Sequence, residues 1–245
     1  MDVDVVRRSI LFAPLDDDTA RQLMARVTVL ERRRSDVVFR QGDPAEELCI
    51  LASGRVKLTR ATADHRETVL AVLGPGDVFG ETCLLEGIPR AATATAIGDT
   101  MLAVIARDDV DRIIAEHPDV VPQLMQVLAR RLRVANELLS ELAFRDVPGR
   151  VAKALVDLAE RFGEPTREGV QVAHGLTQEE LAQLVGASRE AVNKALSDFA
   201  GRGWLRLQMR SVVLLNLERL RRRAHLLPLP AVGLPSPQLP GGAVS

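Results

Sequence analysis

The segment from Leu176 to Phe199 limits the fold of this chain more tightly than any other part of it. Thr177 and Glu180 have the spacing of a capping box, which starts one helix, and Gly186 supplies the left-handed residue that ends it. Ser188 then caps a second helix after a very short turn. Two helices joined in this way form a helix-turn-helix.

The second of these helices carries charged and amide side chains on its exposed first turns. An arginine there can donate two hydrogen bonds to the edge of guanine, and a glutamate can accept one from cytosine. A solvated charged face is the other interpretation, but a helix-turn-helix aims this surface at the major groove of DNA. Together with the helix N-termini and the hairpin described next, the predicted DNA-contacting residues are Thr177, Gln178, Ser188, Arg189, Glu190, Asn193, Lys194, Arg206 and Arg210.

A β-hairpin is predicted directly after the helix pair. Trp204–Leu207 and Val212–Leu215 have the composition of strands, and the turn between them completes a wing whose two arginines are placed to contact phosphate. Between Thr177 and Arg223 there are nine basic and five acidic side chains, a net charge of +4, whereas the whole chain carries −1. This asymmetry is typical of one nucleic-acid-facing end on a nearly neutral protein.

The part of the chain from about Val37 to Ile105 alternates short β-type runs with turn signals. Pairs such as Gly42-Asp43 and Ser53-Gly54 separate the runs, because glycine accepts positive φ and aspartate bonds its own backbone. This spacing favours a small antiparallel barrel or roll. The predicted fold class is therefore α+β, with an N-terminal antiparallel β-roll, a long helix and a C-terminal winged helix-turn-helix.

The long helix is predicted to begin near Pro118 or Pro122 and to end at about Phe144. Apolar residues recur in it at both seam positions of a heptad, which favours a parallel homodimer. A helix lying on the core of its own roll needs a wider stripe, and Leu124, Val127 and Leu138 provide one. The two arrangements are compatible if those three residues pack back on the roll. The predicted dimer seam is Val121, Met125, Leu128, Leu132, Ala135, Leu139 and Leu142.

Length and composition describe an ordinary soluble protein that we expect in the cytoplasm. The 245 residues allow two domains, and 27% charged with 47% hydrophobic residues is a usual globular balance. No apolar run approaches the roughly 18 residues that cross a bilayer, and acids stand where a signal peptide carries Lys or Arg. The expected units are a β-roll domain at 1–117, a dimerisation helix at 118–145, a winged helix-turn-helix at 146–225 and a disordered proline-rich tail at 226–245.

We expect neither a metal site nor a catalytic centre. The four histidines are scattered along the chain, which argues against a cupin-type metalloenzyme, and His65 is a poor haem ligand in an exposed turn. Cys49 and Cys83 lie in apolar surroundings without CxxC spacing, so they are interpreted as buried free thiols rather than cluster ligands.

The order of a β-roll, a long helix and a winged helix-turn-helix over residues 1–223 resembles the cyclic-AMP receptor protein (CRP/FNR) family of bacterial transcription regulators. The runs Phe144–Lys153 and Leu176–Trp204 are similar to its actinobacterial cyclic-AMP-responsive branch. The resemblance implies a roll of the cyclic-nucleotide-binding type and a homodimer that binds a two-fold symmetric DNA site. It also implies RNA polymerase as a partner, no enzymatic activity, no covalent cofactor, and cyclic AMP as an allosteric ligand.

In that family the run GETCLLEGIPRAA, residues 80–92, corresponds to the phosphate-binding cassette. By resemblance, Gly80 and Glu81 approach the ribose, with Glu81 on its 2′-hydroxyl, and Arg90 pairs with the cyclic phosphate. The chemistry agrees, because a guanidinium binds phosphate through a planar fork and a carboxylate accepts from a sugar hydroxyl. The ligand-binding residues implied are Gly80, Glu81, Arg90, Ala91, Ala135 and Asn136.

Two departures bear on the ligand. Many cyclic-AMP binders of the family have Ser or Thr where this chain has Ala91, and Thr followed by Ser or Asn where it has Ala135 and Asn136. Two lost hydrogen bonds, at roughly 0.5–1.5 kcal/mol each, would weaken binding by about one to two orders of magnitude. A different nucleotide such as cyclic di-GMP, a ligand-independent DNA-binding dimer, and a simple Glu81–Arg90 salt bridge therefore stay open as alternatives.

The seam and the cassette are expected to be coupled. Ala135 belongs to both the predicted seam and the adenine contacts, so the base would lie where two helices meet. Ligand binding would then turn the DNA-reading units about a hinge at Asp146–Gly149, which requires two arrangements separated by about 1–3 kcal/mol.

Overall fold

The computed structural model describes residues 4, 7, 9, 12, 13, 15–64 and 66–224, with the backbone alone at 19, 23, 140, 142 and 143. The predicted tail at 226–245 and two of the four histidines, His65 and His225, lie outside the described residues. Over the part that is described, the α+β fold class is confirmed, because a β-roll, a long helix and a winged helix-turn-helix follow one another in this order.

Two four-stranded sheets form the roll. Its strands are β1 (Thr28–Arg32), β2 (Val37–Phe39), β3 (Glu47–Ser53), β4 (Val56–Ala61), β5 (Glu67–Leu73), β6 (Val78–Phe79), β7 (Thr93–Ala96) and β8 (Thr100–Ala106). The sheet orders are β1-β8-β3-β6 and β2-β7-β4-β5, and every pairing is antiparallel. Along β3, Leu48 and Ile50 pack against the flanking helices, whereas Cys49 and Leu51 fill the interior of the roll. Alternation of side chains along a strand thus lets β3 serve two cores.

Helices close the roll at its ends and lead out of it. They are α1 (Asp17–Met24), α2 (Glu81–Glu86), α3 (Arg107–Glu116), a 3₁₀ turn (Pro118–Val120) and α4 (Val121–Phe144). Leu124 of α4 is buried in the same cluster as β3, so the expectation that it packs back on the roll is confirmed, while Val127 and Leu138 are half-buried. None of the helices in the described part of the chain is long and apolar enough to cross a membrane.

The break after α4 is shorter than the predicted hinge at Asp146–Gly149. Arg145 is extended, and Asp146 caps the next helix, α5 (Val147–Phe162), by accepting a hydrogen bond from the Gly149 amide at 3.0 Å. Pro148 lies in the first turn of α5, where an amide needs no intrahelical partner. The non-helical backbone is therefore confined to Arg145 and Asp146.

The C-terminal unit places its helices on one small sheet. After α5 come β9 (Gly163–Pro165), β10 (Val170–Val172), α6 (Gln178–Val185), α7 (Arg189–Gly201), β11 (Leu205–Gln208), β12 (Ser211–Leu214) and α8 (Leu217–Arg223), and the sheet order is β11-β12-β10-β9. The helix-turn-helix is confirmed, with both hydrogen bonds of the Thr177–Glu180 capping box, Gly186 at φ 62° and Ser188 capping α7. The hairpin β9–β10 was not predicted, since its glycine and proline resemble a loop.

The winged helix-turn-helix is docked on its own roll. Val72 and Ile97 of the roll join the apolar core of the C-terminal unit. Lys57 of β4 forms an ion pair with Glu180 of α6, the residue that closes the capping box. Arg161 of α5 donates from its guanidinium to the carbonyl of Val72, on the neighbouring strand β5, at 2.6 Å. Apolar burial and charged contacts therefore hold the two units together.

Candidate functional site

The run at residues 80–92 forms a short helix between two left-handed glycines. Gly80, at φ 85°, precedes α2, and Gly87, at φ 71°, follows it. At Gly80 a side chain is also excluded by space, since a Cβ there would lie 2.5 Å from Nη1 of Arg90. These two residues bend the chain so that the carbonyl of Gly80, before α2, meets the guanidinium of Arg90, after it.

Arg90 is the buried cation of this site, with only 3% of its surface exposed. Its Nη1 donates to the carbonyl of Gly80 at 3.0 Å, and its Nη2 donates to the carbonyl of Glu47 at 2.6 Å. The guanidinium carbon lies 4.1 Å from the centroid of the Phe39 ring, a cation–π contact. The Nε atom is buried and has no hydrogen-bond partner. A buried cationic donor without a partner is costly, and an anionic ligand would satisfy it.

Glu81 is fully buried and is held by the long helix. Nη1 of Arg131 in α4 lies 2.9 Å from its Oε1, which also accepts from the Thr82 hydroxyl at 3.1 Å. Nη2 of Arg131 donates to the carbonyl of Val78 at 2.7 Å. The second carboxylate oxygen, Oε2, is buried without a partner. It can accept a hydrogen bond from a hydroxyl group.

The salt bridge between Glu81 and Arg90, one of the alternatives, is not formed among the described residues. Glu81 pairs with Arg131 instead, and Arg90 is held by backbone carbonyls and an aromatic ring. Sequence reasoning missed Arg131, because its position off the seam indicated a solvated residue. A basic residue one turn before the predicted adenine contacts was the available signal.

The remaining predicted ligand contacts lie on two elements. The amide of Ala91 donates to the thiol of Cys83 at 3.2 Å, inside the loop that follows α2. Ala135 and Asn136 are exposed on α4, one turn beyond Arg131. The structure thus brings Gly80, Glu81, Arg90 and Ala91 together, while the two helix residues face outward.

The predicted seam leaves large apolar side chains exposed along α4. Met125, Leu132 and Leu139 are 64%, 63% and 65% exposed, although each is large and apolar. Val121 and Leu128 are half-buried and Ala135 is exposed, whereas the side chain of Leu142 lies outside the described residues. Large apolar residues exposed at heptad spacing are typical of a helix that pairs with a second one.

The predicted DNA-contacting residues all lie in the C-terminal unit. Arg189, Glu190 and Lys194 are exposed on α7, and Asn193 is half-buried with an unpartnered Oδ1. Thr177 and Ser188 are occupied as helix caps, and Gln178 is exposed at the start of α6. In the wing Arg210 adopts φ 54° in the turn, and Arg206 forms an ion pair with Glu168 of the unpredicted hairpin.

The described residues contain no group of three or more His, Cys, Asp and Glu that could hold a metal ion. Both cysteines are buried and free of disulfide bonds. Burial, with a smaller contribution from the nearby Glu47, raises the pKa of the Cys49 thiol to about 12. Such a thiol is an inert core group at neutral pH.

Comparisons with known protein families match both halves of the chain. The model of the cyclic nucleotide-binding domain matches residues 29–117, and that of the Crp-like helix-turn-helix domain matches residues 149–223.

Similar whole proteins are also known. The chain is 45% identical over 222 residues to the CRP-like cAMP-activated global transcriptional regulator of Mycobacterium tuberculosis, an alignment that covers 91% of this chain and 99% of that relative. It is 40% identical to the cyclic AMP receptor protein of Thermus thermophilus, over 69% of this chain and 76% of the other.

Two solved structures share the fold over most of their length. FixK2 from Bradyrhizobium japonicum superposes with a TM-score of 0.71 at 26% identity, covering 80% of this chain and 96% of FixK2. The c-di-GMP responsive regulator CLP of Xanthomonas campestris superposes with a TM-score of 0.70 at 30% identity, covering 81% of this chain and 99% of CLP.

Proposed function

Since this chain belongs to the CRP/FNR family of transcription regulators, we propose that it is a homodimeric DNA-binding regulator whose operator affinity is controlled by a cyclic nucleotide, with cyclic AMP as the preferred ligand. It acts by binding rather than by catalysis, works in the cytoplasm, and regulates transcription through contact with RNA polymerase at a two-fold symmetric DNA site.

The observation that carries the ligand proposal is a pair of unsatisfied atoms. Nε of Arg90 is a buried donor with a positive charge, and Oε2 of Glu81 is a buried acceptor with a negative charge. A cyclic nucleotide offers the matching groups, because its phosphodiester is a single anion and its ribose carries a free 2′-hydroxyl. One small molecule would thereby satisfy two groups that are costly to leave unpaired.

Cyclic di-GMP is the second candidate ligand, favoured by the likeness to CLP, whose name describes it as c-di-GMP responsive. Ala91 and Ala135 lower the expected affinity for cyclic AMP, as they lack the hydroxyl groups found at these places in many family members. The relatives at 45% and 40% identity are both named for cyclic AMP, which supports cyclic AMP as the first choice.

The route from ligand to DNA runs along α4. Arg131 ties the cassette to this helix, and the exposed apolar residues of the predicted seam provide the surface for a second copy. A change at Glu81 would alter how α4 lies on the roll, and α5 follows after two residues. Two α7 helices about 34 Å apart would then enter successive major grooves.

Isothermal titration tests the ligand proposal. The wild type is titrated with cyclic AMP, cyclic GMP and cyclic di-GMP, and the same titrations are made with Arg90→Ala and with Arg90→Lys, which keeps the charge but loses the fork. We expect cyclic AMP to bind the wild type most tightly and both variants to bind at least tenfold more weakly. Arg60→Ala, an exposed arginine of β4, is the matched control that should bind as the wild type does.

A wild type that gives no heat with any nucleotide would leave the ligand-independent dimer as the better description. Light scattering on the same samples measures the mass of the particle, and a monomer at micromolar concentration would contradict the dimer. Operator affinity measured with and without the nucleotide then decides whether nucleotide binding is coupled to DNA binding.

A further inference from the structure

Cys83 is the residue that holds the loop of the cassette in place. Its carbonyl accepts hydrogen bonds from the amide of Gly87 and, at 3.1 Å, from the amide of Ile88. Its thiol accepts from the amide of Ala91 at 3.2 Å. One residue of α2 therefore fixes both ends of the loop from Gly87 to Ala91, and it is almost fully buried while doing so.

The hydrogen bond from the Ala91 amide is unusual because its acceptor is a sulfur atom. Thiol sulfur is a weak acceptor, whereas a phosphate oxygen is charged and accepts roughly twice as strongly as a neutral group. Residue 91 has no side-chain hydroxyl, so its backbone amide is the only donor that it can offer to an anion beside Arg90. The same amide cannot point at the sulfur and at the anion at once.

Resting on the cyclic-nucleotide function proposed above, we propose that Cys83 is a positioning residue that tunes nucleotide affinity: its thiol holds the Ala91 amide while the site is empty, and the anionic ligand takes this amide from the sulfur. The sulfur keeps a buried donor satisfied in the empty site, and it releases the donor readily because the hydrogen bond is weak. No covalent change of the thiol is involved.

Whether the hydrogen bond between Ala91 and Cys83 favours or opposes nucleotide binding depends on whether it is present in the empty or in the occupied site. A hydrogen bond present only in the empty site stabilises that site and opposes binding. Removing the acceptor should therefore tighten binding by about twofold to tenfold, the range that one weak hydrogen bond represents. A residue that merely supported the shape of the cassette would weaken binding when it was truncated.

The test compares three variants by calorimetry with cyclic AMP. Cys83→Ala removes the sulfur, Cys83→Ser restores an acceptor at the same place, and Cys49→Ala removes the buried sulfur of the other cysteine, which makes no hydrogen bond to the loop. We expect a Kd about twofold to tenfold lower for Cys83→Ala, a return toward the wild-type Kd for Cys83→Ser, and no change for Cys49→Ala. Thermal unfolding of each variant shows how much stability it has lost.

A spectroscopic signal reports on the amide itself. In ¹H–¹⁵N spectra of the full chain, the Ala91 amide should shift in Cys83→Ala without ligand, and it should reach the same bound-state position in wild type and variant once cyclic AMP is saturating. A change in folding stability alone would not move this one resonance to a common end point. Bound-state positions that differ would mean that the sulfur keeps its contact with the amide.

The possible failures can be told apart. If the wild type binds cyclic AMP and Cys83→Ala has an equal or higher Kd, the role of Cys83 is overturned while the proposed function stands. If Cys83→Ala and Cys49→Ala tighten binding equally, the effect is general to the roll and the role of Cys83 is again overturned. If the wild type binds no nucleotide, the proposed function fails and this inference fails with it.

Discussion

Nη1 of Arg131 lies 2.9 Å from Oε1 of Glu81, so an ion pair joins the long helix α4 to helix α2 of the cassette. The carboxylate is fully buried, while the arginine side chain is 36% exposed, so the pair lies at the edge of the roll with its negative end inside. Any group that competes for this carboxylate acts on α4 as well. The pair is therefore a point at which the candidate ligand site and the helix can influence each other.

Replacing Arg131 should cost stability as well as coupling. Arg131→Ala leaves a buried carboxylate without its cation, and we expect the free energy of unfolding to fall by about 1–3 kcal/mol. Arg133→Ala is the matched control, because Arg133 lies on the same helix with its side chain 68% exposed and 3.7 Å from Glu137. An exposed pair of this kind is worth less than about 0.5 kcal/mol.

Urea unfolding of the two variants and the wild type measures the difference. Equal stability of Arg131→Ala and Arg133→Ala would contradict a stabilising role of this ion pair. Glu81→Gln, which keeps the shape of the side chain but not its charge, would then be as stable as the wild type.

The Arg131 contact also illustrates what the sequence can and cannot reveal. The capping box at Thr177, the end of the helix at Gly186 and the apolar heptad pattern of α4 follow from rules that act within one or two helical turns, so the sequence alone predicts them. Arg131 and Glu81 are fifty positions apart, and their contact depends on how α4 lies against the roll. The position of Arg131 one turn before the predicted adenine contacts is a signal in the sequence, but it does not identify Glu81 as the partner.

The docking of the winged helix-turn-helix on the roll could not be predicted from the sequence for the same reason. The hairpin β9–β10 contains Gly163 and Pro165, which local rules assign to a loop, and it becomes a sheet only because β12 is present to pair with β10. Glu180 was recognised as a capping residue, but its second role, pairing with Lys57 of the roll, requires both units to be folded.

His174 should make folding stability depend on pH. Burial, with a smaller contribution from the positive charge of Arg55, lowers the pKa of its imidazole from the ordinary value to about 4. The unfolded chain therefore takes up a proton near pH 6.5, whereas the folded chain stays neutral until about pH 4. The stability due to the neutral imidazole is complete above about pH 6.5 and is lost as the pH falls toward 4, by about 3 kcal/mol in all.

His174→Asn isolates this contribution. The imidazole Nδ1 accepts a hydrogen bond from the Leu176 amide at 3.1 Å, and an asparagine oxygen can accept in its place without titrating. Between pH 7.5 and pH 5.0 the wild type should lose about 2 kcal/mol more stability than His174→Asn, as measured by urea unfolding. Parallel pH profiles for the two proteins would contradict the assignment.

Gly74 should be essential for the docking of the C-terminal unit. Phe162 of α5 packs directly on Gly74, and a Cβ there would clash with the ring. The ring is also held by Arg55 and Arg161, whose guanidinium carbons lie 5.4 Å and 4.9 Å from its centroid. Because the ring cannot move aside freely, Gly74→Ala should cost about 1–3 kcal/mol.

Gly98→Ala is the control for this substitution, since a Cβ at Gly98 would meet nothing within 4 Å. Its effect on the free energy of unfolding should stay within about 0.5 kcal/mol. Limited proteolysis between the two units adds a readout of docking, with Gly74→Ala cleaved faster than Gly98→Ala. Equal cleavage and equal stability would show that Phe162 adopts another rotamer at little cost.

Arg189 and Arg206 should affect DNA binding in different ways. Arg189 is exposed at the start of α7, where a side chain reaches base edges, so Arg189→Ala should cost about 1–3 kcal/mol and relax the sequence preference at one base position. Arg206 lies on the wing and is paired with Glu168, so it can contact phosphate only after leaving that carboxylate. Arg206→Ala should weaken binding to all sequences alike and lower the salt dependence by about one counterion.

Gel shifts with a panel of single-base operator variants at two salt concentrations distinguish the two roles. Glu168→Gln sharpens the test, because it frees Arg206 without altering the recognition helix and should strengthen binding uniformly. Arg60→Ala on the roll should leave the affinity unchanged. A loss confined to one base position in Arg206→Ala, or a uniform loss in Arg189→Ala, would reverse the assignment of the base-reading and phosphate-contacting surfaces.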